Sequence, residues 1–207
     1  MPDHYFSAVP ASPSERRAIR VRLAGRDLDV TTANGIFSPG HVDLGTEVLL
    51  RTVPPLPATG TFLDLGTGWG PIALSMALAA PEADVWAVDV NERALDLVRR
   101  NAAAHGCDRL RASLPDDVPD DVRPDVLWSN PPIRIGKDAL HALLERWLPR
   151  LAEGGSAWLV VQRNLGADSL HRWLAEDLAP RAGLGEVERV ASAKGFRVLR
   201  VAAGPAG

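Results

Sequence analysis

The sequence predicts an α/β protein, a doubly wound and mostly parallel sheet preceded by a β-hairpin. Three observations carry this. Residues 61–80 pass from a short apolar stub (Phe62, Leu63, Leu65) through glycines at 66, 68 and 70 into an alanine-rich apolar run. That is the order strand, tight turn, helix. Downstream, short apolar stretches alternate with helical ones. Near the C-terminus two strand-like runs, Val187 to Ala191 and Phe196 to Ala202, flank Ala193-Lys194-Gly195 and read as an antiparallel pair.

A chain of 207 residues, 46% hydrophobic and 24% charged, is long enough for one such domain with a sizeable core. The formal net charge of −3 gives no overall pull towards nucleic acid, so any such binding needs a local patch. Cys107 is the single cysteine. It excludes a disulfide within the chain and a four-cysteine zinc site, and it suits a reducing cytoplasm. Five scattered histidines show no metal-ligand spacing, so no metal is expected. No signal-peptide pattern opens the chain and no apolar run approaches membrane-spanning length, so no membrane partner is expected.

Taken in order, residues 1–17 read as an arm, with prolines at 2, 10 and 13. Ile19, Val21 and Leu23 alternate with arginines, Ala24-Gly25 turns the chain, and Leu28 and Val30 continue the alternation. Arginines 16, 17, 20, 22 and 26 form either a basic face or an ordinary solvated one. Residues 32–40 are a loop rich in turn formers, and a helix follows from about Asp43 to Thr52. Pro54, Pro55 and Pro57 end it. The reading therefore sets an N-terminal arm, hairpin and helix (1–53) against a main domain (54–207). After the glycine helix come strand 84–89, helix 91–104, strand 110–114 and an acidic, proline-broken loop 114–124. Strand 125–129, helix 137–151, strand 157–162 and helix 167–178 complete the pattern.

The chemistry sits at the ends of these strands. Asp64 and Gly66, Gly68 and Gly70 give Asp-x-Gly-x-Gly-x-Gly, which is not the G-x-G-x-x-G of a dinucleotide site. Glycines there let a ligand approach the main chain, and Pro71 suits a first helical turn. Asp89 stands at the end of the next strand with Val90 behind it, at the spacing of an acid that accepts ribose hydroxyls. Ser113 and Leu114 end the third strand, with Asp116 a little later. Asn130-Pro131-Pro132 ends strand 125–129. Alone it is a common turn. At a strand end behind the glycines it becomes chemistry. An exocyclic amine or an amide nitrogen has a delocalised lone pair, and an Asn oxygen with a backbone carbonyl can hold its two N–H groups and aim that lone pair.

The Asp64-to-Gly70 pattern resembles motif I of the class I S-adenosylmethionine-dependent methyltransferases. His4-Tyr5-Phe6-Ser7, Gly35-Ile36-Phe37-Ser38, Asp43-x-Gly45-Thr46 and Asn130-Pro131-Pro132-Ile133 with Gly136-Lys137 resemble one branch of them. These are the small-domain enzymes related to bacterial 16S ribosomal RNA guanine-N2 methyltransferases. The resemblance implies a seven-stranded Rossmann-like sheet, S-adenosylmethionine as methyl donor, and transfer to an exocyclic nitrogen of RNA, small-subunit ribosomal RNA first. It places Phe37, Gly45 and Thr46 beside the cofactor with Asp64, the glycines, Asp89, Val90, Leu114 and Asn130. It gives Asn130 and Pro131 the target nitrogen. The same Asn-Pro-Pro chemistry serves adenine N6 of DNA and the glutamine amide of a protein, and a non-catalytic nucleoside-binding module would keep the same fold. Arg134, Lys137 and Arg163 lie near the expected mouth and suit a phosphate backbone.

Overall fold

The computed structural model describes residues 15–205. The arm expected over 1–17 lies outside the described residues except for its last positions, and His4-Tyr5-Phe6-Ser7 lies wholly outside them. Strands β1 (Arg16–Leu23) and β2 (Arg26–Ala33) form a separate two-stranded antiparallel sheet, the expected hairpin. Helix α1 (Leu44–Thr52) follows, then β3 (Thr61–Leu65), α2 (Pro71–Ala79), β4 (Asp84–Val88), α3 (Glu92–Ala104), β5 (Leu110–Ser113) and β6 (Val126–Ser129). Helix α4 (Lys137–Trp147), β7 (Ser156–Gln162), α5 (Ala167–Trp173), α6 (Ala179–Ala182), β8 (Val187–Ala193) and β9 (Phe196–Ala202) complete the chain. Strands β3 to β9 form a seven-stranded mixed sheet in the order β5-β4-β3-β6-β7-β9-β8.

The chain divides into two compact units, residues 1–43 with 55–120 and residues 44–54 with 121–207. In the first, β4 runs parallel to both β3 and β5. Phe62, Leu63, Leu65, Val85, Ala87 and Val88 are all buried, as strands covered on both faces require. The hairpin carries Val21, Leu23, Leu28 and Val30 inward. Its five arginines point outward, and three of them are paired: Arg16 with Asp96 at 3.0 Å, Arg22 with Asp27 at 3.1 Å, Arg20 with Asp29 at 3.9 Å. This favours the solvated-face reading over a basic face, since the aspartates cancel the charge. In the second unit β7 lies parallel to β6 and antiparallel to β9, and β8 closes the edge antiparallel to β9 with a bulge between Arg189 and Ala191.

Two helices differ from the sequence expectation, and proline explains both. Helix α4 stops at Trp147 rather than 151, because Pro149 has no N–H to give the ladder and the chain tightens into a 3-10 turn at Leu148–Arg150. The next helix runs past 178 to Ala182. Ahead of Pro180 the ladder widens into a π turn, Leu174–Leu178, with Ala179 N–H donating to Leu174 O five residues back. Among the described residues no helix is long and apolar enough to cross a membrane.

The hairpin turn is Ala24-Gly25, with φ of 47° and 76°, so both central residues are left-handed. That geometry matches the strand twist, but an alanine there carries a steric cost. Ala24→Asn is expected to raise stability by about 0.5–1 kcal/mol, because Asn tolerates this region. Urea unfolding checks it, and an unchanged or lower midpoint would contradict the strain.

Candidate active site

In the first unit the glycine turn is built around Asp64, a carboxylate near the C-terminal end of a buried strand with no exposed surface. Burying a charge is costly unless it is bonded. Asp64 Oδ2 accepts from Thr67 Oγ1 at 2.6 Å and from the backbone N–H of Ala73 at 3.0 Å. Ala73 lies in the first turn of α2, whose N-cap, Gly70, has no side chain to cap it. Asp64 therefore serves as a remote cap. Its other oxygen, Oδ1, is buried and has no hydrogen-bond partner. Burial pushes the Asp64 carboxyl up to about 7, against the pull of Thr67 and Ala73, with nearby Asp89 adding a little in the same direction.

Gly66, Gly68 and Gly70 all have positive φ, at 79°, 57° and 95°. A Cβ on Gly70 would meet Val98 Cγ2 at 3.1 Å, whereas one on Gly68 would meet nothing within 4 Å. Gly70 thus serves helix packing, while Gly68 borders open space that a ligand can enter. The turn is tied to the end of β4: Gly66 and Thr67 donate to Val88 O at 2.8 and 3.1 Å, and Gly68 N–H donates to Asp89 Oδ2 at 2.9 Å. Asp89 Oδ1 accepts from Asn91 N–H at 2.9 Å. A carboxylate oxygen can accept more than one hydrogen bond. Burial also raises the Asp89 carboxyl above the ordinary range, opposed by the N–H groups of Asn91, Gly68 and Val90. Val90 is exposed and Leu114, just after β5, is half-buried beside buried Ser113. Phe37 is exposed on the loop between β2 and α1.

In the second unit β6 delivers half-buried Asn130 and buried Pro131. Asn130 Nδ2 donates to Thr46 Oγ1 on α1 at 3.1 Å. This bond ties the amide at the end of β6 to α1, with its nitrogen on the Thr46 side. Thr46 and Gly45 are both buried in the first turn of α1. Ile133 N–H donates to Pro131 O at 2.8 Å, which closes the Asn-Pro-Pro turn tightly and leaves that carbonyl a second lone pair. Arg134, Lys137 and Arg163 are exposed.

Sequence reasoning missed two side chains that hold this arrangement, Asn101 and Trp69, and the bond that the already named Thr46 makes to Asn130. Asn101 Oδ1 accepts from Thr31 N–H at 2.7 Å, and its Nδ2 donates to Thr31 O at 3.0 Å and Trp69 O at 3.1 Å, which clamps hairpin, helix and glycine turn together. Its signal was a polar residue on the inward face of α3, in register with Val98. Trp69 is buried, and its indole N–H donates to Ser38 O at 3.1 Å. Thr46 gave a similar signal, a hydroxyl on the buried face of α1.

The methyltransferase small domain family matches residues 27–200. The chain belongs to this family. It is 32% identical to the Bacillus subtilis protein YbxB over 203 residues, 97% of this chain and 98% of that one. It is 33% identical to ribosomal RNA small subunit methyltransferase C of Pseudomonas entomophila, over 95% of this chain and 58% of that protein. Against the curated proteins of that second name, the chain spans about half their length. Among solved structures, T. thermophilus RsmC, a 16S rRNA N2 methyltransferase in complex with AdoMet and guanosine, superposes with a TM-score of 0.74 at 24% identity, over 92% of this chain and 51% of that one. Membership makes the chain an S-adenosylmethionine-dependent methyltransferase. The first unit's residues fit that cofactor. A buried carboxylate oxygen lacks a partner, a turn is open at Gly68, and a second carboxylate keeps acceptor capacity, while the cofactor brings an ammonium, a sulfonium and ribose hydroxyls.

The raised Asp64 carboxyl has a stability consequence. The native state keeps a proton that the unfolded chain, with its ordinary value of 3.8, releases between 3.8 and about 7. This contribution is therefore fully present below 3.8 and lost as pH rises through about 7. In Asp64→Asn that loss is absent. Urea unfolding across pH 4–8 is expected to show the variant gaining on the wild type by on the order of 3 kcal/mol. Parallel stability curves would show that Asp64 is ionised throughout.

Proposed function

We propose that the chain methylates an exocyclic amine of RNA, guanine N2 first, with small-subunit ribosomal RNA the leading substrate and the cytoplasm the place of action. One observation carries the reading: the Asn130 amide is oriented by Thr46, at the end of β6, in an Asn-Pro-Pro turn. The names of the relatives support the substrate class, since ribosomal RNA small subunit methyltransferase C and RsmC both act on that RNA.

In this reading the first unit binds the cofactor and the second holds the amine. The bound cofactor supplies an electrophilic methyl group on sulfonium. Asp89 accepts the ribose hydroxyls, and the backbone at Gly66 and Gly68 admits the methionine part. Asn130 Oδ1 accepts one N–H of the target amine and the Pro131 carbonyl accepts the other. Both bonds strengthen as the nitrogen gains positive charge, so they favour the transition state over the ground state. No strong base is required, because the proton lost by the methylated nitrogen is acidic once the lone pair is used. Thr46 contributes by holding the amide the right way round. Arg134, Lys137 and Arg163 supply positive charge for the phosphate backbone, a role the paired hairpin arginines do not offer.

Asn130→Ala is expected to keep cofactor affinity and lose kcat by about 10²-fold or more. Thr46→Val, which keeps shape and removes the acceptor, is expected to cost about tenfold in kcat through misorientation of the amide. Transfer at the wild-type rate by Asn130→Ala, measured with methyl-labelled cofactor, would remove the catalytic assignment.

Replacing Arg134 and Lys137 together by Ala should raise KM for RNA and flatten its dependence on salt, leaving cofactor binding unchanged. Nucleoside digests of labelled RNA test the target. N2-methylguanosine supports the reading, and label in N6-methyladenine of DNA or in protein glutamine defeats it.

A further inference from the structure

Three carbonyl oxygens of the loop between β2 and α1 are held by side chains that arise from the cofactor cradle itself. Asn34 O accepts from Arg93 Nη1 at 2.8 Å, Gly35 O from Asn91 Nδ2 at 3.2 Å, and Ser38 O from Trp69 Nε1 at 3.1 Å. Trp69 sits between Gly68 and Gly70, and its own carbonyl is taken by Asn101. Asn91 is the residue whose backbone N–H holds Asp89, and its Oδ1 caps α3 through Arg93 N–H at 3.0 Å. The two turns that bear the cofactor-binding residues therefore reach out to the same short loop, all within the first unit.

What the loop presents is apolar. Ile36 is 1% exposed and anchors it, while its neighbour Phe37 is 45% exposed. Ser38 takes a φ of 45°, a left-handed conformation that costs a non-glycine residue energy, and the bonds on either side hold it there. Fastening the loop on both flanks of a ring left in solvent stabilises no buried apolar surface at that ring. It does order the ring before a ligand arrives, so that the entropy of fixing it is not lost on binding.

We propose that Trp69 and Asn91 are positioning residues, which hold the Gly35–Ser38 segment so that the Phe37 ring closes on bound S-adenosylmethionine. This rests on the cofactor assignment above. The indole N–H and the Asn91 amide act through the loop backbone, so their effect on affinity depends on the Phe37 ring being present.

Calorimetry with S-adenosylhomocysteine on the full chain tests this without turnover. Trp69→Phe keeps an aromatic ring and removes the N–H. Asn91→Ser keeps an oxygen to cap α3 and the backbone N–H for Asp89, but is too short to reach Gly35 O, and it leaves the buried indole undisturbed. Each is expected to raise Kd by about five- to tenfold, the loss of one bond to a loop carbonyl. Phe37→Ala is expected to raise it by about tenfold. Adding Trp69→Phe or Asn91→Ser to Phe37→Ala should then change little, because the tethers have nothing left to position. In turnover, the tether variants should raise KM for the cofactor with kcat nearly unchanged. Unchanged Kd in both tether variants, or fold-changes that multiply with that of Phe37→Ala, would overturn the proposal. Failure of the wild type to bind S-adenosylhomocysteine would overturn the cofactor assignment itself, a distinguishable result.

Discussion

The first unit depends on a carboxylate placed where carboxylates are least welcome. Asp64 is near the C-terminal end of a strand covered on both faces, and its burial is tolerated because one of its oxygens is spent on Thr67 and on the first turn of α2. That spending fixes the glycine turn. Once the turn is fixed, Gly68 N–H meets Asp89, Gly66 and Thr67 meet Val88, and the ends of β3 and β4 become one surface. The remaining oxygen of Asp64 is unmatched within the protein.

The same logic governs the second unit on a smaller scale. A buried threonine in the first turn of a helix is a weak helix former with a polar group to satisfy. Thr46 meets that demand with the Asn130 amide, 84 residues away in sequence. The bond ties the amide at the end of β6 to the first turn of α1.

The parts of the fold that were legible are those written in neighbouring residues. The stub 62–65 with its glycines, the acid 21 residues beyond Gly68, and the Ala24-Gly25 turn each declare themselves within a few positions. The strand and helix order follows from such local patterns, and the closing antiparallel pair followed from Lys194-Gly195. The helix was expected to run through Pro149 to 151, and the 3-10 and π turns by which the chain absorbs the prolines at 149 and 180 were not read. What remained hidden were the long-range ties: Asn101 to Thr31, Trp69 to Ser38, Thr46 to Asn130. Each is a hydrogen bond between residues 31 to 84 positions apart, which no local window contains. Their only trace was a polar or bulky residue at a position where periodicity asks for a small or apolar one.

The division of the chain has a consequence for its synthesis. Helix α1 belongs to the second unit, yet it emerges between segments of the first. Its Val48 and Leu49 are buried beside β7 and β9, which are translated far later. Roughly a hundred residues separate them, so at about 5–20 residues per second the helix waits on the order of ten seconds with its apolar face unpartnered. During that interval residues 55–120 can complete the first unit. A nascent chain of this protein therefore carries a finished glycine turn while a sticky helix still waits for the strands of its own core.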